Sequence, residues 1–310
     1  MKAVRYHAYG GPDVLALDDV PVPEIGPNDV LVKVHASSIN PADWKFRAGW
    51  FAEWVPLAMP FTPGSDVAGL VDRVGADVVR FRPGDRVYGM TMPPVGGACA
   101  EYVAIRDDAL AIAPRSIPLE HAAGVPLAAL TAWAVLVDGA GLAAGQTVLI
   151  HAAAGGVGSF AVQFAKAAGA TVIATASAGN ATLIRSLGAD QVIDYHATDF
   201  STIVSGIDVV LDSVGGTVQA KSFAVLRRGG VLVTLDPQPP AQALCDAHGV
   251  RGVAAALMPD GARLERIAQL IDAGKVRVII DSVFPLDEAA DAHRHSEAGH
   301  ARGKILLHVA

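Results

Sequence analysis

Residues 147–180 constrain the fold of this 310-residue chain more than any other stretch. The apolar run Val148-Leu149-Ile150 reads as a buried strand and leads directly into a glycine turn at Gly155, Gly156 and Gly158. An amphipathic helix follows, with Val157, Ala161, Phe164, Ala165 and Ala168 on one face, and Gly169 stops it. A second run, Val172-Ile173-Ala174, closes a strand–helix–strand unit. Glycines at such a turn let backbone N–H groups approach a pyrophosphate, and the helix N-terminus adds partial positive charge. A glycine fingerprint by itself also describes a tight turn that binds nothing. Lying between strand and helix, as the motif demands, this one points to a dinucleotide.

The rest of the chain has two textures. Up to about residue 118 it is strand-rich and punctuated by turn signals such as Gly10-Gly11-Pro12 and Arg82-Pro83-Gly84-Asp85. Short strands are expected over residues 1–6, 30–36, 67–74, 86–90 and 100–105, which argues for a compact β-barrel-like domain. From His121 onward the pattern alternates. Residues 122–137 read as one buried helix, followed by apolar runs at Val192-Ile193, Val209-Val210-Leu211, Val231-Leu232-Val233 and residues 250–257. Runs apolar on both faces mark a parallel sheet covered by helices on each side, and with the two strands already found they make about six. After Pro259-Asp260-Gly261 come an amphipathic helix, a strand over residues 276–280, a helix over 287–297 and a final strand over 303–309.

Composition excludes several classes. Hydrophobic content of 52% with 18% charged residues describes a globular chain with large buried surfaces. A net charge of −7 argues against nucleic acid, whose binders carry basic stripes. No run is long enough to span a bilayer, and no apolar segment follows Lys2 and Arg5 to make a signal peptide. Cys99 and Cys245 are too few for a disulfide framework and suit a reducing compartment, so a cytoplasmic protein is expected.

The fingerprint departs from its usual form at Ala153, which stands where the first glycine would, giving Ala-x-Gly-Gly-x-Gly. That form resembles the zinc-free, zeta-crystallin-like quinone oxidoreductases of the medium-chain dehydrogenase/reductase superfamily. So do Asn28-Asp29-Val30-Leu31-Val32-Lys33-Val34, Pro63-Gly64-Ser65-Asp66-Val67-Ala68-Gly69 and Phe81-Arg82-Pro83-Gly84-Asp85-Arg86-Val87. The resemblance covers nearly the whole chain and implies an α/β architecture in two domains. Residues 1–120 would form a GroES-like β-barrel catalytic domain, completed by residues 262–310, and residues 121–261 a doubly wound Rossmann domain with a six-stranded parallel sheet.

Zinc relatives in that superfamily place a Cys where this chain has Asn40 and a His where it has Ser65. They also carry a loop of four close cysteines, where this chain has Cys99 alone. A catalytic zinc needs three protein ligands in one cleft, and His35, His121 and His151 are scattered beside apolar stretches, so a metal-free site is expected. Without a Lewis acid nothing lowers an alcohol's pKa. A quinone, or the β-carbon of an enone, accepts hydride directly if the protein orients it and offers a donor to the oxygen. Asn40, Asp43 and Lys45 lie in the stretch that lines the substrate site in the resembled family. Lys45 can hold a nicotinamide ribose or polarise a carbonyl, or simply be a solvated turn lysine. Asn40 and Asp43 read equally well as turn formers around Pro41.

The expected cofactor is NADPH, cradled by Ala154, Gly155, Gly156, Val157 and Gly158. NAD-preferring folds put a carboxylate at the end of the second strand, roughly 20 residues past the glycines. Residues 175–180 contain no acid, and Ser177 and Asn180 can donate to a 2′-phosphate. By position in the resembled family, Thr131 approaches the nicotinamide, Tyr195 flanks the adenosine, and Val214 and Leu235 end strands at the ligand-binding edge. The same resemblance lets Arg302 and Lys304, with His300, form a basic cluster that approaches the cofactor. Trp50, Phe51 and Trp54 either cover a flat apolar substrate or pack a loop onto its own domain. The expected activity is hydride transfer to a quinone or an α,β-unsaturated carbonyl. The rival is an NADP(H)-binding protein without turnover, a redox sensor or structural protein. The family usually forms homodimers through a sheet edge, here residues 250–257.

Overall fold

The computed structural model describes residues 1–310. At its start β1 (Lys2–Tyr6) and β2 (Leu15–Asp19) pair antiparallel. The apolar alternation that follows becomes β3 (Asp29–Ile39), β4 (Asp66–Val74), β5 (Arg86–Met90), β6 (Tyr102–Arg106) and β7 (Leu110–Ile112). Between β3 and β4 the turn formers around Pro41 start a helix, α1 (Pro41–Arg47). Proline suits its first turn, where the missing N–H has no intrahelical partner anyway.

The single helix expected over residues 122–137 is broken. Observed are α2 (Leu119–Ala122), α3 (Pro126–Trp133) and a π-helical stretch, Ala134–Gly139. Pro126 cannot continue a helix from upstream but can open one. Gly124 lies where an added Cβ would stand 3.1 Å from Ile280 Cδ1 and 3.3 Å from Lys304 Cβ. The break therefore sits where an added side chain would crowd its neighbours.

Strands and helices then alternate: β8 (Thr147–Ile150), α4 (Gly156–Ala167), β9 (Thr171–Ala176), α5 (Ala181–Ser186) and β10 (Gln191–Asp194). They continue with β11 (Ile207–Asp212), α6 (Gly216–Val225), β12 (Leu226–Thr234), α7 (Gln242–His248) and β13 (Arg251–Ala254). All six strands are parallel, in the order β10-β9-β8-β11-β12-β13. The order reverses beside β8, which is the switch point of a Rossmann sheet. Leu149, Val210 and Leu232 are buried on its central strands and pack with Phe200 and Phe223, as a sheet covered on both faces requires.

The chain closes with α8 (Gly261–Asp272), β14 (Ile280–Pro285), α9 (Ala289–Glu297) and β15 (Lys304–His308). β15 inserts between β14 and β3 in a seven-stranded sheet of order β14-β15-β3-β4-β5-β7, with β6 also on β3. No strand forms over most of residues 276–280; it begins at Ile280 instead. The reason is local. The Gln163 amide takes both backbone groups of Arg277, accepting from its N–H at 2.7 Å and donating to its carbonyl at 3.0 Å. Backbone polar groups satisfied by a side chain need no ladder partner.

The chain divides into two compact units. One comprises Met1–Leu130, Met258–Gly274 and Val278–Ala310; the other comprises Thr131–Leu257 with Lys275–Arg277. The first is built on Val30, Val32, Val67, Phe81, Val87 and Leu110, with a second cluster around Ile39, Cys99, Ile305 and Leu307. Within it, the buried Arg47 joins α1 to α9. Its guanidinium donates to the Gly10 carbonyl at 3.1 Å, meets His293 Nδ1 at 3.1 Å and forms an ion pair with Glu297. No helix is long and apolar enough to cross a membrane.

Candidate active site

In the first unit the polar groups converge on one carboxylate. Asp66 opens β4 with its side chain fully buried, and a buried ion needs every lone pair met. Its Oδ2 accepts from Ser38 Oγ at 2.5 Å, Asn40 Nδ2 at 2.9 Å and Lys304 Nζ at 3.2 Å. Its Oδ1 accepts from the Leu127 N–H at 2.6 Å. The Lys304 ammonium, 3% exposed as a residue, also donates to Asn40 Oδ1. β3, α1, the start of α3 and β15 are thereby fastened to a single oxygen pair.

Asp43 lies beside this group at the third position of α1. It accepts from the Asn40 N–H at 2.7 Å, the reach-back contact of a capping box. Burial, above all, pushes its carboxyl up to about 7, and the neighbouring Asp66 adds to the rise. Lys45, half-buried two residues later, has its ammonium 5.6 Å from the ring centres of both Trp44 and Trp50. Trp50 stands edge-on to Trp44 at 5.2 Å and is 61% exposed. Trp54, 67% exposed, tilts against Phe51.

The second unit carries the glycine turn. α4 is capped by Gly155, which has no side-chain oxygen to offer, so the first N–H groups of the helix stay directed outward. A Cβ on Gly158 would meet the Ala152 carbonyl oxygen at 2.4 Å and Ala153 Cα at 2.7 Å, so only glycine lets helix and turn pack this closely. Ala152 itself has a positive φ of 47°. An uncapped helix N-terminus on a tight glycine turn fits a pyrophosphate. Beyond β9, Ser177 and Asn180 are joined side chain to side chain at 3.1 Å, with no carboxylate in the segment.

Known proteins are similar to this chain in sequence and fold. The alcohol dehydrogenase GroES-like domain family matches residues 26–115, and the zinc-binding dehydrogenase family matches residues 187–307. A 2-methylene-furan-3-one reductase of Solanum lycopersicum is 38% identical, covering 99% of this chain and 79% of its own. The quinone oxidoreductase of Coxiella burnetii is 36% identical and superposes with a TM-score of 0.92, covering 100% of this chain and 99% of its own. The Escherichia coli quinone oxidoreductase, solved with NADPH, is 29% identical with a TM-score of 0.88, each chain 99% covered. The chain belongs to the quinone oxidoreductase branch of the medium-chain dehydrogenase/reductase superfamily.

Within this quinone oxidoreductase fold, the remaining expected residues are placed unevenly. Thr131 is buried in α3. Val214 is 56% exposed, just past β11, in a loop shaped by Asp212, whose Oδ1 accepts the Val214 and Gly215 N–H groups at 3.0 and 2.8 Å. The Leu235 N–H donates to the Asp212 carbonyl at 3.1 Å, so both residues stand at the carboxyl edge of the parallel sheet. Tyr195, 53% exposed, follows β10 and packs against His196 with ring centres 4.3 Å apart. His300, Arg302 and Lys304 do not form one cluster: the first two are exposed, whereas Lys304 turns inward to Asp66. His151 is a packed histidine. It is held between Thr175 Oγ1 and Ser222 Oγ, each at 3.0 Å, and burial lowers its pKa to about 4. Asp66 and Ser38 were not singled out from the sequence. The readable signal was a carboxylate at the head of an apolar strand and a Ser-Ser pair inside another, since buried polar groups of that kind need partners.

Proposed function

We propose that this chain is an NADPH-dependent reductase of quinones or α,β-unsaturated carbonyls that works without zinc. The observation that carries the reading is the uncapped N-terminus of α4 on its glycine turn, followed by an acid-free end of β9. When bound, NADPH supplies the hydride. The first-turn N–H groups of residues 156–158 donate to the pyrophosphate, and Ser177 and Asn180 donate to the 2′-phosphate, where a carboxylate would repel it. Thr131, Tyr195, Val214 and Leu235 flank the remainder of the dinucleotide.

Charge supports the zinc-free reading. The carboxylate of Asp66 and the amide oxygen of Asn40 already face the Lys304 ammonium, so a divalent cation there would meet a resident positive charge. Asn40 and Asp43 serve by setting α1, and Lys45 is the cation on that helix with no carboxylate partner, held over two indole faces. It is the donor assigned to the substrate oxygen that becomes negative, with Trp50 and Trp54 as the apolar cover. The proposal extends to a cytoplasmic homodimer joined through β13; supporting the joint is its position as the end strand of the parallel sheet, where its outer backbone groups pair with no other strand of this chain.

A panel of quinones, enones and simple alcohols, each with NADPH or NADP⁺ and with NADH or NAD⁺, tests the reading. Turnover of quinones or enones with tighter binding of NADPH than NADH is expected. Turnover of alcohols alone overturns the electrophile argument. NADPH binding with no turnover favours a binding protein, and equal affinities for the two cofactors refute the argument from residues 175–180.

A further inference from the structure

Away from these residues, three metal-ligating side chains converge on the outside of the first unit. One ligand atom each from His35, Glu120 and His308 lies within 4.8 Å of the others. Three separate elements bring them there. His35 sits in β3 at the register shift against β4 between Val34 and Ala36, where Val34 faces Gly69 and Ala36 faces Ala68. A bulge of that kind leaves one residue without a cross-strand partner and re-aims its side chain. His308 belongs to β15, opposite Ala36, and its ring stands edge-on to that of His35 with centres 5.6 Å apart. Glu120 comes from α2, its Oε2 3.7 Å from His308 Nδ1.

Nothing basic other than histidine neutralises the Glu120 carboxylate: its ion-pair neighbours are His308 and His121, the latter 3.8 Å from Oε1. The two oxygens thus face different partners. Oε2 faces His308, while His121 lies near Oε1 without a hydrogen bond to it.

We propose that His35, Glu120 and His308 bind one zinc-class divalent transition-metal ion, which clips α2 and β15 to β3. Two imidazoles and one carboxylate are a borderline donor set that selects such ions over magnesium or calcium, which take oxygen alone. A tetrahedral ion bound at about 2.0–2.1 Å holds its donors about 3.3 Å apart, so closure asks for side-chain rotation of an ångström or so at a half-exposed surface. Water completes the coordination. The site is distinct from Asn40 and Ser65, the positions of the zinc ligands in the resembled dehydrogenases, and it has no part in hydride transfer. Its effect is to fasten segments far apart in sequence, and such binding adds to stability by mass action.

Zinc titration of chelator-treated protein by calorimetry tests the site. One ion per chain with micromolar or tighter affinity is expected, with a zinc-dependent rise in Tm that magnesium does not reproduce. His35→Gln, Glu120→Gln and His308→Gln should each weaken binding at least about tenfold and remove the Tm rise, while His196→Gln leaves both intact. Cu²⁺ bound to the unmodified protein should show two-nitrogen hyperfine coupling in electron paramagnetic resonance, a readout that needs no variant. Saturation only at millimolar zinc, affinity unchanged in His308→Gln, or coupling to fewer than two nitrogens overturns the proposal.

Discussion

Lys304 and Asp66 form an ion pair with side chains only 4% and 0% exposed, so each depends on the other for its charge to be tolerated. Lys304→Met leaves a buried carboxylate uncompensated and is expected to cost about 3–5 kcal/mol in chemical denaturation. The double variant Lys304→Met/Asp66→Asn should recover much of that loss, and no recovery would mean the lysine acts by packing alone. Three buried titrating groups make stability depend on pH. His151 is lowered to about 4 and His293 to about 3, both by burial, the latter with help from the Arg47 charge. Below about 6.5 the unfolded chain binds protons that these rings refuse, so both favour folding less as pH falls from there toward 4, on the order of 3 kcal/mol for His151. Asp43 acts oppositely. Its folded carboxyl, at about 7, keeps a proton that the unfolded chain has released above 3.8, so it disfavours folding increasingly as pH rises through that interval. Two histidines against one carboxyl give a net loss of stability in acid. Asp43→Asn keeps an oxygen to accept the Asn40 N–H while abolishing the opposing slope. Denaturation between pH 4 and 7 should therefore show a steeper acid loss in that variant than in the parent, and an unchanged slope would refute the assignment.

Elements are decided by contacts of a few atoms. At the α4 turn, Gly158→Ala drives a Cβ into backbone atoms at 2.4 and 2.7 Å, whereas a Cβ on Gly155 stands 3.4 Å from the Ala152 oxygen, ordinary contact. Gly158→Ala is expected to lose about 1–3 kcal/mol and cofactor affinity together. Gly155→Ala should keep its Tm and, by crowding the pyrophosphate, weaken NADPH alone; equal effects of the two on Tm would contradict the packing. Gln163→Ala strands both backbone groups of Arg277 and should cost about 1–3 kcal/mol. That last contact also shows why reading from sequence failed beside it. The apolar run at residues 276–280 has strand composition, but its backbone is satisfied by a side chain more than a hundred positions away. The parallel sheet was legible because strands buried on both faces write themselves as unbroken apolar runs, and the α4 turn because glycines were where the motif needs them. α1 was not, since seven residues of mixed polarity around Pro41 and Trp44 carry too little periodicity. The Asp66 network was hidden for a different reason: Lys304 lies 238 residues further on, and no local pattern announces such a partner.

At the scale of the whole molecule, the first unit is interrupted and the second is nearly continuous. If β13 joins two copies as proposed, light scattering at micromolar concentration should return twice the 31.9 kDa chain mass, and a single-chain mass would remove the dimer. The interruption also sets an order of events during synthesis. Residues 131–257 have all been made before β15 exists, so the parallel sheet can consolidate while β3 still lacks a neighbour on that side. Until Lys304 emerges, Asp66 lacks the counter-ion it has in the folded chain, and burying its carboxylate is correspondingly costly. A nascent chain thus presents a carboxylate without its counter-ion and a bare strand edge for as long as the ribosome takes to add the later segments, and this interval is when a chaperone or a neighbouring chain has most to grip.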